Sequence, residues 1–159
     1  MKVFKTKLTK STIQTVSRRD VKPGQVFRKQ LRDGAIGDNV YAALPHNGKN
    51  FSINLNTGNI ASSVKHDAPC KIVGSYELNI SLTPNQLKET TRSEVKTNEV
   101  FRVKGGDTLY LNLGMIDNHK RYISLPVHAK FDNNYAVTEN GNSAVVLVGT
   151  YNINAKLLG

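Results

Sequence analysis

The strongest constraint on how this chain folds is a pair of matching segments. Asp20-Val21-Lys22-Pro23-Gly24-Gln25-Val26-Phe27-Arg28 aligns with Glu94-Val95-Lys96-Thr97-Asn98-Glu99-Val100-Phe101-Arg102, an offset of 74 residues. Val73-Gly74-Ser75-Tyr76 aligns with Val148-Gly149-Thr150-Tyr151, an offset of 75. Between these anchors Val40-Tyr41-Ala42-Ala43-Leu44 matches Leu109-Tyr110-Leu111-Asn112-Leu113, and Lys49 and Phe51 match Lys120 and Tyr122. Self-similarity of this kind points to one supersecondary unit used twice. The 159 residues then divide into a leader at 1–19, a first copy at 20–80, a connector at 81–93 and a second copy at 94–159.

Each copy reads as five short strands punctuated by turn residues, the spacing of a small barrel. The first copy places them at 25–30, 39–44, 51–55, 59–64 and 70–80. The second places them at 99–104, 108–114, 121–127, 134–138 and 144–154. Asn47-Gly48, Thr57-Gly58-Asn59, Gly105-Gly106-Asp107 and Asn140-Gly141-Asn142 supply turn chemistry at the breaks. Leu109, Leu111 and Leu113 alternate as a half-buried strand does. In the connector, Thr83 stands where a helix N-cap would and Pro84 at the first helical place, which predicts a short helix. Residues 11–18 are read as a second short helix, although Thr12, Thr15 and Val16 are mediocre helix formers. The expected fold is therefore all-β: two tandem five-stranded barrels related by an internal repeat, with a basic N-terminal leader and a short helical connector.

Charge is distributed unevenly. The chain has 22 Lys+Arg against 12 Asp+Glu, a formal +10. Residues 1–19 hold Lys2, Lys5, Lys7, Lys10, Arg18 and Arg19 with no acidic residue, a local +6. The first copy adds +2, and the connector and second copy +1 each. A run of like charges extends in water, and it also binds polyanions, because each phosphate neutralised releases condensed counterions. Anionic lipid is a poorer partner for the leader. At helical spacing Val3, Phe4, Leu8 and Ile13 make no broad apolar face.

Eight of the eleven aromatic residues fall in matched pairs: Phe27 with Phe101, Tyr41 with Tyr110, Phe51 with Tyr122, and Tyr76 with Tyr151. Rings kept at matching places predict core packing. Stacking platforms for single strands would instead need exposed rings among cations, a setting only Tyr122 has, beside Lys120 and Arg121.

Val21-Lys22-Pro23-Gly24-Gln25-Val26-Phe27-Arg28, followed by Gly34, Gly37 and Val40, resembles the KOW motif. That resemblance implies a Tudor-like five-stranded barrel of the kind found in nucleic-acid-contacting transcription and ribosomal proteins. The second copy departs from the motif, with Thr97-Asn98-Glu99 in place of Pro23-Gly24-Gln25. Taken whole, the chain is similar to the early modifier-of-transcription proteins of tailed bacteriophages. The similarity implies a non-catalytic DNA-binding protein with little sequence preference, acting in the cytoplasm of an infected bacterium on nucleoid and transcription.

The residues point to no reaction. His46, His66, His119 and His128 are scattered, and none stands at metal-ligand spacing from Cys70, so neither metal nor cofactor is expected. Gly34-Ala35-Ile36-Gly37 lacks the lysine and following helix of a phosphate loop. One cysteine closes no internal disulfide, and no apolar run approaches the roughly 20 residues that cross a bilayer. The leading expectation is duplex DNA bound through its phosphates by Lys2, Lys5, Lys7, Lys10, Arg18, Arg19, Lys22, Arg28, Lys29 and Arg32, with arm arginines suited to a narrow minor groove. A second is a protein-interaction module that captures a host transcription or nucleoid factor.

Overall fold

A computed structural model describes residues 2–3, 15–44, 51–61, 67–116, 121–127, 137–139 and 141–158 of the chain. The strands in chain order are β1 (Lys2–Val3), β2 (Thr15–Ser17), β3 (Gln25–Lys29), β4 (Tyr41–Ala43), β5 (Ser52–Asn54) and β6 (Ile60–Ala61). They continue with β7 (Pro69–Leu82), β8 (Lys88–Thr91), β9 (Glu99–Val103), β10 (Leu109–Ile116), β11 (Arg121–Val127), β12 (Val137–Glu139) and β13 (Ala144–Leu157). Single 3-10 turns at Arg18–Asp20 and Arg92–Glu94 are the only helical pieces among the described residues. No described helix is long and apolar enough to cross a membrane.

The all-β content agrees with the sequence reading, but two tandem barrels do not form. The hydrogen-bonded order is β12-β11-β10-β9-β13-β7-β3-β4-β5-β6, one open sheet rather than two closed KOW-like or Tudor-like barrels. The cause lies in β7 and β13, each 14 residues long, more than twice the length a small barrel needs. The compact units likewise do not follow the sequence copies. An N-terminal unit comprises Phe4–Glu77 with Ile153–Gly159, and a C-terminal unit comprises Leu78–Asn152 with Met1–Val3. Each long strand contributes to both.

The connector helix is absent as well. The Thr83 N–H donates to the Val148 carbonyl at 2.9 Å, and Gln86 N–H closes a turn on the Thr83 carbonyl at 3.0 Å. Lys88–Thr91 then pairs with Ala144–Leu147 as β8. Thr90 and Thr91 are β-branched and suit the extended backbone, so sheet pairing outweighs the Thr83-Pro84 helix signal. Residues 15–17 are likewise strand, β2, paired with Lys71, Cys70 and Pro69. The leader's remaining residues, Met1 and 4–14, lie outside those described.

Within the N-terminal unit, Pro23-Gly24 makes a turn with Gly24 at φ +92°, closed by Gln25 N–H on the Lys22 carbonyl at 3.0 Å. The Gln25 side chain accepts from Lys22 N–H at 2.7 Å. Within the C-terminal unit Thr97-Asn98 makes the same turn. Asn98 carries φ +80°, and Glu99 Oε1 accepts from Lys96 N–H at 2.7 Å. Asparagine tolerates the left-handed region better than other side chains, so the departure from Pro-Gly leaves the turn intact.

The Val-Gly pairs singled out in the sequence are β-bulges. Opposite β3, the β7 ladder skips Val73, and opposite β9 the β13 ladder skips Val148. The bulged carbonyls are not left unpaired: Val73 accepts from Leu158 N–H at 2.8 Å, and Val148 from Thr83 N–H. The glycine that follows each bulge permits a close strand approach. A Cβ on Gly74 would lie 2.2 Å from the Lys156 carbonyl oxygen, and one on Gly149 2.2 Å from that of Ser81. Side chains alternate cleanly along β7, with Cys70, Ile72, Tyr76, Leu78 and Ile80 buried. In the N-terminal unit Val21, Phe27, Tyr41, Ala43, Cys70 and Ile72 form one core cluster. In the C-terminal unit Val95, Phe101 and Val145 form another.

Gly74→Ala and Gly149→Ala should each lower stability by about 2–3 kcal/mol in urea unfolding, since backbone rather than a movable side chain blocks the methyl group. Gly58→Ala and Gly105→Ala, open on all sides but at φ +79° and +86°, should cost about 1 kcal/mol through backbone strain alone.

Candidate nucleic-acid interface

The ten cations expected to contact DNA have different fates. Lys2 lies in β1, where its backbone pairs with Asn79 of β7. Lys5, Lys7 and Lys10 lie outside the described residues. Arg19 and Lys22 are exposed, on the 3-10 turn and on the turn into β3. Arg28 and Lys29 are half-buried on β3, and Arg32 is exposed in the loop between β3 and β4.

Arg18 does not reach solvent. It is 2 % exposed, its Nη2 donates to the Phe51 carbonyl at 3.0 Å, and its guanidinium stands 4.8 Å from the Phe27 ring centroid. Burial pushes its pKa down, while the neighbouring Cys70 and Tyr76 favour the cation. This side chain serves the core. The sequence signal that could have shown it is its partner at offset 74, Arg92, which adjoins no leader.

Arg92 is fully buried in the C-terminal unit. Its Nη2 donates to Asn112 Oδ1 at 2.7 Å, Ser124 Oγ at 3.1 Å and the Ile123 carbonyl at 3.2 Å. Its guanidinium lies 4.7 Å from the Phe101 ring centroid and 4.9 Å from that of Tyr122. Tyr122, the one candidate stacking platform, therefore already carries a cation on a face. Phe27, Tyr41, Phe51, Phe101, Tyr76 and Tyr151 are all buried, and Tyr110 and Tyr122 are half-buried. The Tyr76 hydroxyl donates to the Ala43 carbonyl and the Tyr151 hydroxyl to the Asn112 carbonyl.

Three of the cations that remain, Arg28, Lys29 and Arg32, lie on the β3–β4 hairpin. Arg28 Nη1 donates to the Asp38 carbonyl at 3.2 Å, which fixes the guanidinium beside the β3–β4 loop. Lys29 Nζ sits 4.7 Å from the Tyr41 ring centroid. Lys29, Leu31, Gly37, Asp38, Asn39 and Tyr41 line an open recess of about 380 Å³. Fixed cations flanking a hairpin can bind phosphate oxygens without large ordering losses. Leu31 and Ile36, both exposed on this loop, were missed as functional candidates, although they stand either side of Arg32 and Gly34.

Cys70 is buried, and burial pushes its thiol pKa up. No group of three or more His, Cys, Asp or Glu side chains suited to a metal occurs among the described residues, and all four histidines lie outside them.

Arg18→Met and Arg92→Met should each destabilise the fold by about 2–3 kcal/mol in urea, because methionine replaces neither the charge-assisted hydrogen bonds nor the contacts with the aromatic faces. Any DNA affinity of folded Arg18→Met should match the parent within twofold. Stability should also fall at high pH. Burial raises the Tyr76 and Tyr151 phenols well above their ordinary 10.0, so only the unfolded chain loses these protons just above that value. The contribution is complete below pH 10.0 and shrinks above it, by about 1.4 kcal/mol per pH unit per tyrosine. Urea midpoints taken between neutral and strongly alkaline pH check this, and Tyr76→Phe should remove about 1.4 kcal/mol per pH unit from the slope, leaving the share of Tyr151 and of the buried Cys70 thiol.

No family model, curated protein or solved structure matches the chain.

Proposed function

We propose that the protein binds double-stranded DNA through its phosphates, with little sequence preference and without catalysis, and acts on the nucleoid and transcription of an infected bacterial cell. The cellular setting rests on the resemblance to phage early modifier-of-transcription proteins. The binding rests on one observation, the division of charge between the two compact units.

The N-terminal unit contains 13 basic and five acidic side chains, a net +8, and the C-terminal unit nine and seven, a net +2. Such an imbalance supports the N-terminal unit as the one that meets a polyanion. Arg19, Lys22, Arg28, Lys29 and Arg32 supply contacts from folded elements, and Lys5, Lys7 and Lys10 extend the same charge along the leader. No described helix is long enough to lie along a major groove, so base-edge readout from a recognition helix is not the expected mode.

If about six phosphates are neutralised, log affinity should fall against log salt with a slope near −5. Arg19→Gln, Lys22→Gln and Arg32→Gln combined in the full chain should flatten that slope by about 3 units and weaken all duplexes alike. Lys88→Gln, Lys96→Gln and Lys104→Gln, exposed in the other unit, should leave it unchanged. Fluorescence anisotropy across a salt series decides, and binding insensitive to salt overturns the proposal. Substitution is the right tool here, because cutting the chain before residue 20 would also remove β1, β2 and the buried Arg18.

A further inference from the structure

We propose that the tip of the β3–β4 hairpin is a wedge, led by Leu31, that enters the DNA minor groove, parts two stacked base pairs and bends the duplex. This deepens the DNA-binding reading and rests on it.

The tip is ordered by its own hydrogen bonds. Leu31 N–H donates to the Ala35 carbonyl at 2.7 Å, Gly34 N–H to Leu31 at 2.9 Å and Gly37 N–H to Lys29 at 2.8 Å. Gly34, at φ +86°, allows the tight reversal. Gln30 N–H, bonded to the Pro69 carbonyl at 3.0 Å, ties the base of the tip to β7. A loop held this way meets a ligand without first being ordered.

On this rigid tip the exposed side chains include large aliphatic ones. Leu31 is 51 % exposed and Ile36 36 %, two of six exposed large hydrophobics among the described residues, within a six-residue stretch. Gln30 bridges Ile36, so those two share one face of the ribbon and Leu31 projects from the other. A Cβ on Gly37 would lie 3.9 Å from Leu31 Cδ2, which places Leu31 on the face that carries Lys29.

Charge complementarity chooses the occupant. Arg28, Lys29 and Arg32 lie on the same hairpin as the apolar tip, offset in part by the carboxylates of Asp33 and Asp38, in a unit of net +8. The carboxylate of Asp33 at its apex is turned back onto Ala35 N–H at 2.9 Å. Apolar side chains among cations match a minor groove, whose walls are sugar and phosphate and whose floor is base-pair edges, between which an apolar side chain can insert. The turn after β9 in the other unit has no such tip. Gly106 N–H closes directly on Val103 at 2.8 Å, leaving Lys104 and Gly105 between them.

The test uses the full-length chain and a short duplex carrying donor and acceptor dyes at its ends, with 2-aminopurine at a central flexible step. The parent should bend the duplex by about 20–90° and raise 2-aminopurine emission as stacking is lost. Leu31→Ser with Ile36→Ser should abolish both signals and weaken binding about tenfold while the salt slope stays the same. Leu31→Met should keep the bend. These positions are exposed, so the changes do not threaten the core. A duplex bound straight by the parent, or bent equally by the double variant, overturns the wedge and leaves DNA binding standing. Failure of the parent to bind duplex at low salt overturns both.

Discussion

Arg18 and Arg92 each carry a full positive charge into the interior, where the chain must supply what water would otherwise give. The groups found there are of two kinds: aromatic faces at 4.7–4.9 Å and oxygen acceptors at 2.7–3.2 Å. A guanidinium suits both, being planar, weakly hydrated and rich in donors. Holding it fixes the surrounding elements in a definite order. In the C-terminal unit Arg92 joins its 3-10 turn to β9 through Phe101, to β10 through Asn112 and to β11 through Tyr122, Ile123 and Ser124. Asn112 extends the network, donating to the Val95 carbonyl at 2.9 Å and accepting from Gly114 N–H at 3.1 Å. In the N-terminal unit Arg18 likewise joins its turn to β3 and to Phe51, just before β5. The turn into β3 starts two residues after the Arg18–Asp20 segment, so anchoring Arg18 also sets where the β3–β4 hairpin begins.

The two long strands answer a different constraint. A strand of 14 residues that pairs on both edges cannot keep perfect register while its neighbours approach closely. The bulges at Val73 and Val148 absorb the extra residue, and glycine follows each where another strand's carbonyl leaves no room for a methyl group. The tyrosine two residues after each glycine then sends its hydroxyl to a buried carbonyl in its own unit. Val-Gly-Ser-Tyr and Val-Gly-Thr-Tyr are thus bulge motifs, and their likeness in sequence reflects equal local geometry.

Strand positions were largely legible because they depend on local pattern. The expected segments at 25–30, 70–80 and 121–127 agree with β3, β7 and β11 to within two residues at either end, and glycine- and asparagine-containing turns mark several breaks. What local pattern does not encode is where a strand stops pairing. The continuation of β7 through Leu82 and of β13 through Leu157 links strands that two closed barrels would have kept apart. The connector was misread for a related reason: Thr83-Pro84 is a sound helix start in isolation, but the free edge of β13 offers Lys88–Thr91 a ladder instead. Arg18 was misread because an arginine beside another arginine in a basic leader looks solvated. Its burial depends on Phe27 and Phe51, nine and 33 residues further on.

The candidate site follows from the same division between core and surface cations. With Arg18 committed to the interior, the leader and folded hairpin no longer form one undifferentiated basic arm. In the proposed reading the leader adds the charge of Lys5, Lys7 and Lys10. The hairpin supplies cations at fixed spacing, with Arg28 held by a carbonyl and Lys29 resting over Tyr41. Phosphate contacts of either kind position a protein without reading bases. Any preference among sequences would then arise where the apolar tip meets the stack, because the energy needed to open a base step depends on that step. Pyrimidine–purine steps open most easily, so a protein built this way would favour them without a hydrogen bond to a base edge.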